Sequence, residues 1–265
     1  MMPVLIKLLM AIAIAFFLAA GMLFFIQERL IFHPERLPAD HTFSFSVPFE
    51  EETLSNNGVS IHTIRFPKPE SKGVILYFHG NAGSLDSWGH LYADFQAFPY
   101  DLWIMDYRGF GKSGGGIVRE QELHSDAEKL YEAAKNQYPN GDVVIYGRSI
   151  GTGVAAKLAA EHPPKMLILE TPYFNFVNLV DHIAPWVPSF LLRFQLMTNE
   201  YVTDQSFPIH LFHGDRDALI PAQSSDRLAE LGENIKYHRI EGAGHNNIGD
   251  FPKYQRILQE IFAAP

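Results

Sequence analysis

The run Val143-Val144-Ile145-Tyr146-Gly147-Arg148-Ser149-Ile150-Gly151-Thr152-Gly153 decides how the rest of the chain is read. An apolar, β-branched stretch ends in Gly-x-Ser-x-Gly, and an alanine-rich helical pattern follows at once. That order predicts a strand, a sharp turn and a helix, with one serine at the apex beside the helix N-terminus. The two flanking glycines are expected on steric grounds, because strand and helix approach too closely for a Cβ. Ser149 is therefore the first candidate nucleophile.

The pattern alone carries little weight. Glycine and serine are common enough that about one chain in ten of this length contains Gly-x-Ser-x-Gly by chance. A second copy stands at Gly111-Lys112-Ser113-Gly114-Gly115. After it come Gly116, Ile117 and Val118 without helical periodicity, so Ser113 reads as a loop residue. The two serines must be separated by whether either has partners.

Composition sets the outer bounds. The chain has 265 residues, 47% of them hydrophobic and 19% charged, which describes a folded domain rather than a disordered one. A net charge of -9 with no basic cluster argues against nucleic acid as a partner. Cysteine is absent, which excludes disulfides, a thiol nucleophile and cysteine-ligated metal.

Leu8 to Ile26 carries no charge and is long enough to cross a bilayer, for which about 20 mostly apolar residues suffice. A cleaved signal would have a shorter apolar core of about 7–15 residues, so an uncleaved single-pass anchor over residues 1–30 is expected. A buried core helix is the third reading, and the lack of a polar face opposes it. Lys7 on one side and Arg29 and Arg36 on the other nearly cancel the positive-inside bias. The short N-terminal tail favours a cytoplasmic N-terminus and an extracytoplasmic domain over residues 31–265.

Pro34 and Pro38 mark a juxtamembrane linker. Phe43 to Phe49 and Gly58 to Phe66 alternate apolar and polar residues, as antiparallel strands with one wet face do, and Asn56-Asn57-Gly58 supplies a turn. From Gly73 the pattern changes: Val74–Phe78 is continuously apolar, as a strand covered on both faces should be, and strands alternate with helical patterns from there on. They fall at Val74–Phe78, Leu102–Met105, the run ending at Ser149, Met166–Leu169, Ile209–Phe212 and Ile235–Ile240. Helices are expected near Trp88–Ala97 and over Glu120–Gln137, Gly153–Glu161, Ala222–Leu231 and Tyr254–Phe262. The alternation predicts an α/β domain with a mainly parallel sheet and helices on both faces.

Ligands in such a sheet sit beyond the carboxyl ends of the strands. The clusters there are His79-Gly80-Asn81-Ala82-Gly83-Ser84, Asp106 to Gly114, the Ser149 turn, His213-Gly214-Asp215-Arg216-Asp217 and Glu241-Gly242-Ala243-Gly244-His245. A serine hydroxyl needs a base, and the imidazole that serves needs a carboxylate to fix its tautomer. Ser149, Asp217 and His245 supply these types in order, each after a strand. Asp215 competes with Asp217 for the acid. His79 and His213, among twelve histidines, read as loop-holding residues.

These blocks resemble the α/β-hydrolase superfamily, in which serine, acid and histidine follow one another in this order. The His79–Ser84 and Asp106–Ser113 blocks are similar to the membrane-anchored α/β-hydrolase-domain branch, whose eukaryotic relatives include protein depalmitoylases. The likeness runs from Phe32 to the C-terminus. It implies an α/β-hydrolase fold, Asp217 rather than Asp215 as the acid, and no cofactor. It also implies an oxyanion hole from the backbone N–H of Ile150 and of a residue in the His79-Gly80 loop, Asn81 being chosen over Ala82.

Other readings are weaker. Gly109 to Gly114 matches Gly-x-Gly-x-x-Gly, but no helix opens from it and no acidic residue closes a second strand, so dinucleotide binding is not expected. No histidine pair has zinc spacing, which leaves His213, Asp215 and Asp217 as the sole weak metal alternative. An aspartate at the apex would suit a dehalogenase, and position 149 is serine. The apolar segment at about 172–205 reads equally as a cap lining an acyl pocket and as an insertion packed on the core. The expected function is hydrolysis of a carboxylic ester or thioester, on a small-molecule, lipid or acylated substrate. A serine peptidase or amidase is the alternative within the fold, and a non-catalytic binding scaffold the alternative outside catalysis.

Overall fold

The computed structural model describes residues 2–263. Eight strands form one sheet: β1 (Glu50–Asn56), β2 (Val59–Phe66), β3 (Gly73–Phe78), β4 (Asp101–Met105), β5 (Asp142–Arg148), β6 (Met166–Glu170), β7 (Ile209–Gly214) and β8 (Ile235–Ile240). Their spatial order is β1-β2-β4-β3-β5-β6-β7-β8. β2 runs antiparallel to both β1 and β4, and every other pairing is parallel. β5, which carries Ser149 at its end, lies inside the sheet between β3 and β6.

The continuously apolar strands are explained by what covers them. Along β5, Val143 and Ile145 enter one core while Val144 and Tyr146 enter the other. The first core is closed by α2 (Glu120–Gln137) and α3 (Gly151–Glu161), through Leu123, Leu130, Val154 and Leu158. The second is closed by the helical turns Leu85–Trp88 and Tyr92–Phe95 and by the C-terminal helix Pro252–Ala263, through Phe95, Tyr254 and Leu258. With both faces dry, alternation has no reason to appear.

The hairpin differs from the expectation. Phe43–Phe49 is not a strand; the strand that pairs with β2 is Glu50–Asn56, turned at Asn57 and Gly58 with φ of 49° and 80°. Phe43 stacks on His62, and Phe45 packs edge-on against Phe66 and fills the space a Cβ on Gly89 would need. The aromatic rings bury by packing rather than by pairing. Three successive glutamates disguised the true strand, although two of them find cations: Glu50 pairs with Arg65, and Glu51 meets Lys112 at 2.7 Å.

The N-terminal helix α1 (Met2–Ile31) extends five residues beyond the apolar run, and its apolar window is not buried within the protein. It is therefore no core helix. By length and composition it suits a membrane span. The segment over 172–205 divides between the two readings given above. Phe194 and Leu196 are fully buried in the core, whereas α4 (Phe176–Ile183) lines a cavity and the turn Ser189–Leu191 buries none of its residues.

Candidate active site

Ser149 sits at the end of β5 with φ of +53°, a left-handed conformation that an L-residue adopts only when its surroundings enforce it. Two backbone bonds do so. The Ser149 N–H donates to Glu170 O at 2.9 Å, and the Thr152 N–H donates to Ser149 O at 3.0 Å. The flanking glycines are sterically required. A Cβ on Gly151 would lie 2.2 Å from Phe78 O, and one on Gly147 would lie 2.6 Å from Gly151 O.

The loops after β7 and β8 bring two further side chains to this turn. His245 Nε2 lies 2.9 Å from Ser149 Oγ, and His245 Nδ1 lies 2.7 Å from Asp217 Oδ2. An ionised carboxylate only accepts, so Nδ1 carries the proton and the Nε2 lone pair faces the serine hydroxyl. Asp217 is fully buried at its side chain and fully bonded. Its Oδ1 accepts the N–H groups of Leu219 and Ile220, both at 2.8 Å. Its Oδ2 also accepts from His213 Nε2 at 3.1 Å. Burial alone would raise the carboxyl; hydrogen bonds from His213 and His245 outweigh it and hold Asp217 well below the usual carboxylate range.

The other sequence candidates fall into place as follows. Asp215 is exposed and caps Gly242 N at 2.7 Å, away from His245. His213 does not assemble a metal site with Asp215 and Asp217. Its Nε2 donates towards Asp217 and Ile220 O while its Nδ1 meets Ser225 Oγ at 2.8 Å, which orients the acid loop. His79 is wholly buried, with Nδ1 2.7 Å from Gly80 O and its ring stacked on Trp88. Ser113 binds Asp106 O and accepts His62 N, both at 2.8 Å, and has no histidine ring on its hydroxyl.

Asn81 and Ile150 line the same cavity as Ser149, and neither backbone amide donates to another protein group among the described residues. The Asn81 side-chain amide donates to Ile31 O at the end of α1. Asp106 secures this loop by accepting Leu85 N at 3.0 Å.

Arg148 turns away from the cavity. Its Nε lies 3.1 Å from Glu170 Oε1 and its guanidinium covers the Trp88 ring. Burial disfavours the charge, but Glu170 raises its pKa above the ordinary value. Because Glu170 O also holds Ser149 N, this ion pair buttresses the turn. Glu170 was not singled out in the sequence; its only signal there is an acid ending an apolar strand.

The cavity above Ser149 has a volume of about 480 Å³, within the range of small-ligand sites. Its walls come from α4 and its flanks, from Leu219 and Ile220, and from Leu23, Gln27, Leu30 and Ile31 of α1. Among the described residues, no carboxylate, lysine or arginine lines it.

The sheet order, the strand–turn–helix at Ser149 and the loops beyond it define an α/β-hydrolase. A family model described as serine aminopeptidase, S33, matches residues 69–203, about half of the chain, and the chain belongs to that hydrolase family. The match includes Ser149 and ends before Asp217 and His245. An uncharacterized protein of Mycobacterium tuberculosis (strain ATCC 25618 / H37Rv) is 28% identical over 91% of this chain and 89% of its own length. The lysophosphatidylserine lipase ABHD12 of Danio rerio is 30% identical over 74% of this chain, which spans 59% of that protein. Among solved structures, the Pyrococcus furiosus esterase Pf2001 superposes with a TM-score of 0.68 at 18% identity, covering 87% of this chain and 97% of that one. At that identity the likeness speaks for the fold.

Proposed function

We propose that this protein is a serine hydrolase acting on carboxylic esters or thioesters of apolar acyl groups, through an acyl-enzyme. The observation that carries the reading is the unbroken hydrogen-bond chain Ser149–His245–Asp217 at the base of an apolar cavity. In this reading His245 Nε2 takes the Ser149 proton as Oγ attacks the acyl carbonyl. The oxyanion is held by the N–H groups of Asn81 and Ile150, the latter at the N-terminus of α3. Collapse expels the alcohol or thiol, which takes the proton from His245. Water then adds to the acyl-enzyme with the same base, releasing the acid and restoring Ser149. Asp217 remains ionised throughout and stabilises the imidazolium. No step calls for a cofactor.

The family's aminopeptidase description favours a second reading, amide cleavage next to a free ammonium. Such a substrate requires a carboxylate to receive its charge, and the cavity lining has none, which supports the ester reading. The name of the ABHD12 relatives supports a lipid ester in particular. We further assign residues 1–30 to a retained membrane anchor and residues 31–265 to the catalytic unit, placed outside the cytoplasm.

Labelling of the full chain with a fluorophosphonate probe tests the mechanism. Wild type is expected to label and Ser149→Ala to lose all labelling. Folded wild type that resists the probe would instead favour a non-catalytic scaffold, and a Ser149→Ala variant with unchanged ester turnover would refute the nucleophile.

A further inference from the structure

We infer that the membrane helix is itself a wall of the substrate pocket, so that the acyl chain enters Ser149 sideways from the adjoining leaflet along α1; this rests on the ester reading above. Leu23, Gln27, Leu30 and Ile31 lie at i, i+4, i+7 and i+8, one stripe of α1, and all four line the cavity that holds Ser149. An anchor that served only as a tether would need no such stripe facing the catalytic domain.

The helix is fixed in that position by specific contacts. Gln27 is 3% exposed, and both ends of its amide are used. Its Nε2 donates to Leu191 O at 2.9 Å and its Oε1 accepts Arg193 N at 2.8 Å. Glu28 pairs with Arg193, and Phe32 packs edge-on against Phe194 with centroids 5.2 Å apart. At the same level, Asn81 of the proposed oxyanion loop donates to Ile31 O. One end of α1 therefore touches both the cap and the loop beside the nucleophile.

Length places the pocket mouth at the bilayer surface. Val4–Ile31 is 28 residues long, or about 42 Å at 1.5 Å per residue, against a hydrocarbon core of about 30 Å. An upright helix has a surplus of about eight residues beyond the core, and the polar group Gln27-Glu28-Arg29 marks the exit. The cap beside this exit carries exposed large apolar residues. Trp186 is 78% exposed, Phe190 77% and Ile183 51%, and the turn that holds Phe190 packs against α1. Tryptophan and phenylalanine so placed next to a spanning helix fit the headgroup boundary, where amphipathic and aromatic groups collect. The occupant this geometry selects is a lipid acyl chain taken from the leaflet.

Two measurements on the full chain in phosphatidylcholine vesicles test the inference. The first uses Ser149→Ala and an 18-carbon fatty acid with a terminal photoreactive diazirine, followed by peptide mapping. Adducts are expected on the pocket-lining stripe of α1, Leu23, Leu30 and Ile31, together with the cap. Adducts on the cap alone, or on α1 only at lipid-facing Phe17 and Phe25 and not on the stripe, would overturn it. This arm does not depend on turnover. The second compares Leu23→Trp with Phe25→Trp, whose side chain is 72% exposed on the far side of α1. Leu23→Trp is expected to lower the ratio of kcat/KM for 16-carbon over 4-carbon esters about tenfold, the scale by which pocket shape discriminates apolar groups. Phe25→Trp is expected to leave that ratio unchanged. Equal ratios in the two variants would overturn the inference. Absence of ester hydrolysis by wild type would sink the proposed function, with the crosslinking result still deciding where the chain lies.

Discussion

Replacing Asp217 by asparagine tests the charge-transfer chain where the geometry is most constrained. Oδ1 receives two backbone N–H groups at 2.8 Å, so the asparagine oxygen must stay on that side. Its NH₂ group then faces His245 Nδ1 and His213 Nε2, which now meet a donor instead of an acceptor. His245 can satisfy it only by accepting at Nδ1, which moves its proton to Nε2 and removes the lone pair that faces Ser149. The predicted fall in kcat is about 10⁴-fold, the size of a wrong-tautomer effect in a serine triad. The stability cost is about 1–3 kcal/mol, for the buried charge-assisted hydrogen bond from His213 that is lost, Ile220 O remaining as the acceptor of its Nε2. The pH dependence follows from the lowered Asp217 pKa. A carboxylate held below its unfolded value contributes stability above about pH 3.9, and that contribution is lost as pH falls towards the folded pKa. The gap in stability between wild type and Asp217→Asn should therefore be constant from pH 5 to 8 and narrow in stronger acid. Ester turnover with denaturant melts across pH measures both quantities. A variant within tenfold of wild type in kcat, with an intact fold, would refute the assignment of Asp217, and a large loss in Asp215→Asn instead would transfer the role.

Arg148→Met removes the cation paired with buried Glu170 and should destabilise the protein by about 3–5 kcal/mol, read as a lower melting temperature, while probe labelling per folded molecule survives. Wild-type stability in that variant would show that the pair does not support the Ser149 turn. Ser113→Ala should keep full fluorophosphonate labelling and cost about 1–3 kcal/mol, since Ser113 Oγ bonds His62 N and Asp106 O in a buried loop. Loss of labelling there would mean that the second Gly-x-Ser-x-Gly had been misjudged.

What the sequence disclosed follows from the range of the forces involved. Parallel strands covered on both faces, such as Val74–Phe78, announce themselves as unbroken apolar runs, and the helix Glu120–Gln137 and the mixed strand Ile235–Ile240 match their predicted limits residue for residue. The Ser149 turn is legible because its glycines stand where a Cβ would lie 2.2 Å and 2.6 Å from backbone oxygens, a demand that only glycine meets and that therefore shows in the sequence. Glu50–Asn56 was not, because its charges are matched by Arg65 and Lys112 from other elements. Arg148 had no reading until Glu170 came beside it from the neighbouring strand. Groups whose role is set by a long-range partner leave no periodicity to find.

Gln27 is the sharpest instance, and it changes how the N-terminal segment is understood. In sequence it is merely the first polar residue after an apolar run. A buried primary amide is costly unless its donors and acceptor are met. Here both sides are met by backbone groups of one short cap segment, Leu191 to Arg193, more than 160 residues away. Replacing that arrangement with lipid would leave Leu191 O and Arg193 N, as well as the Gln27 amide, in search of partners. The helix, the cap and the pocket between them are thus coupled by polar bonds that neither element can satisfy alone, and the cavity reaching Ser149 takes its shape from both.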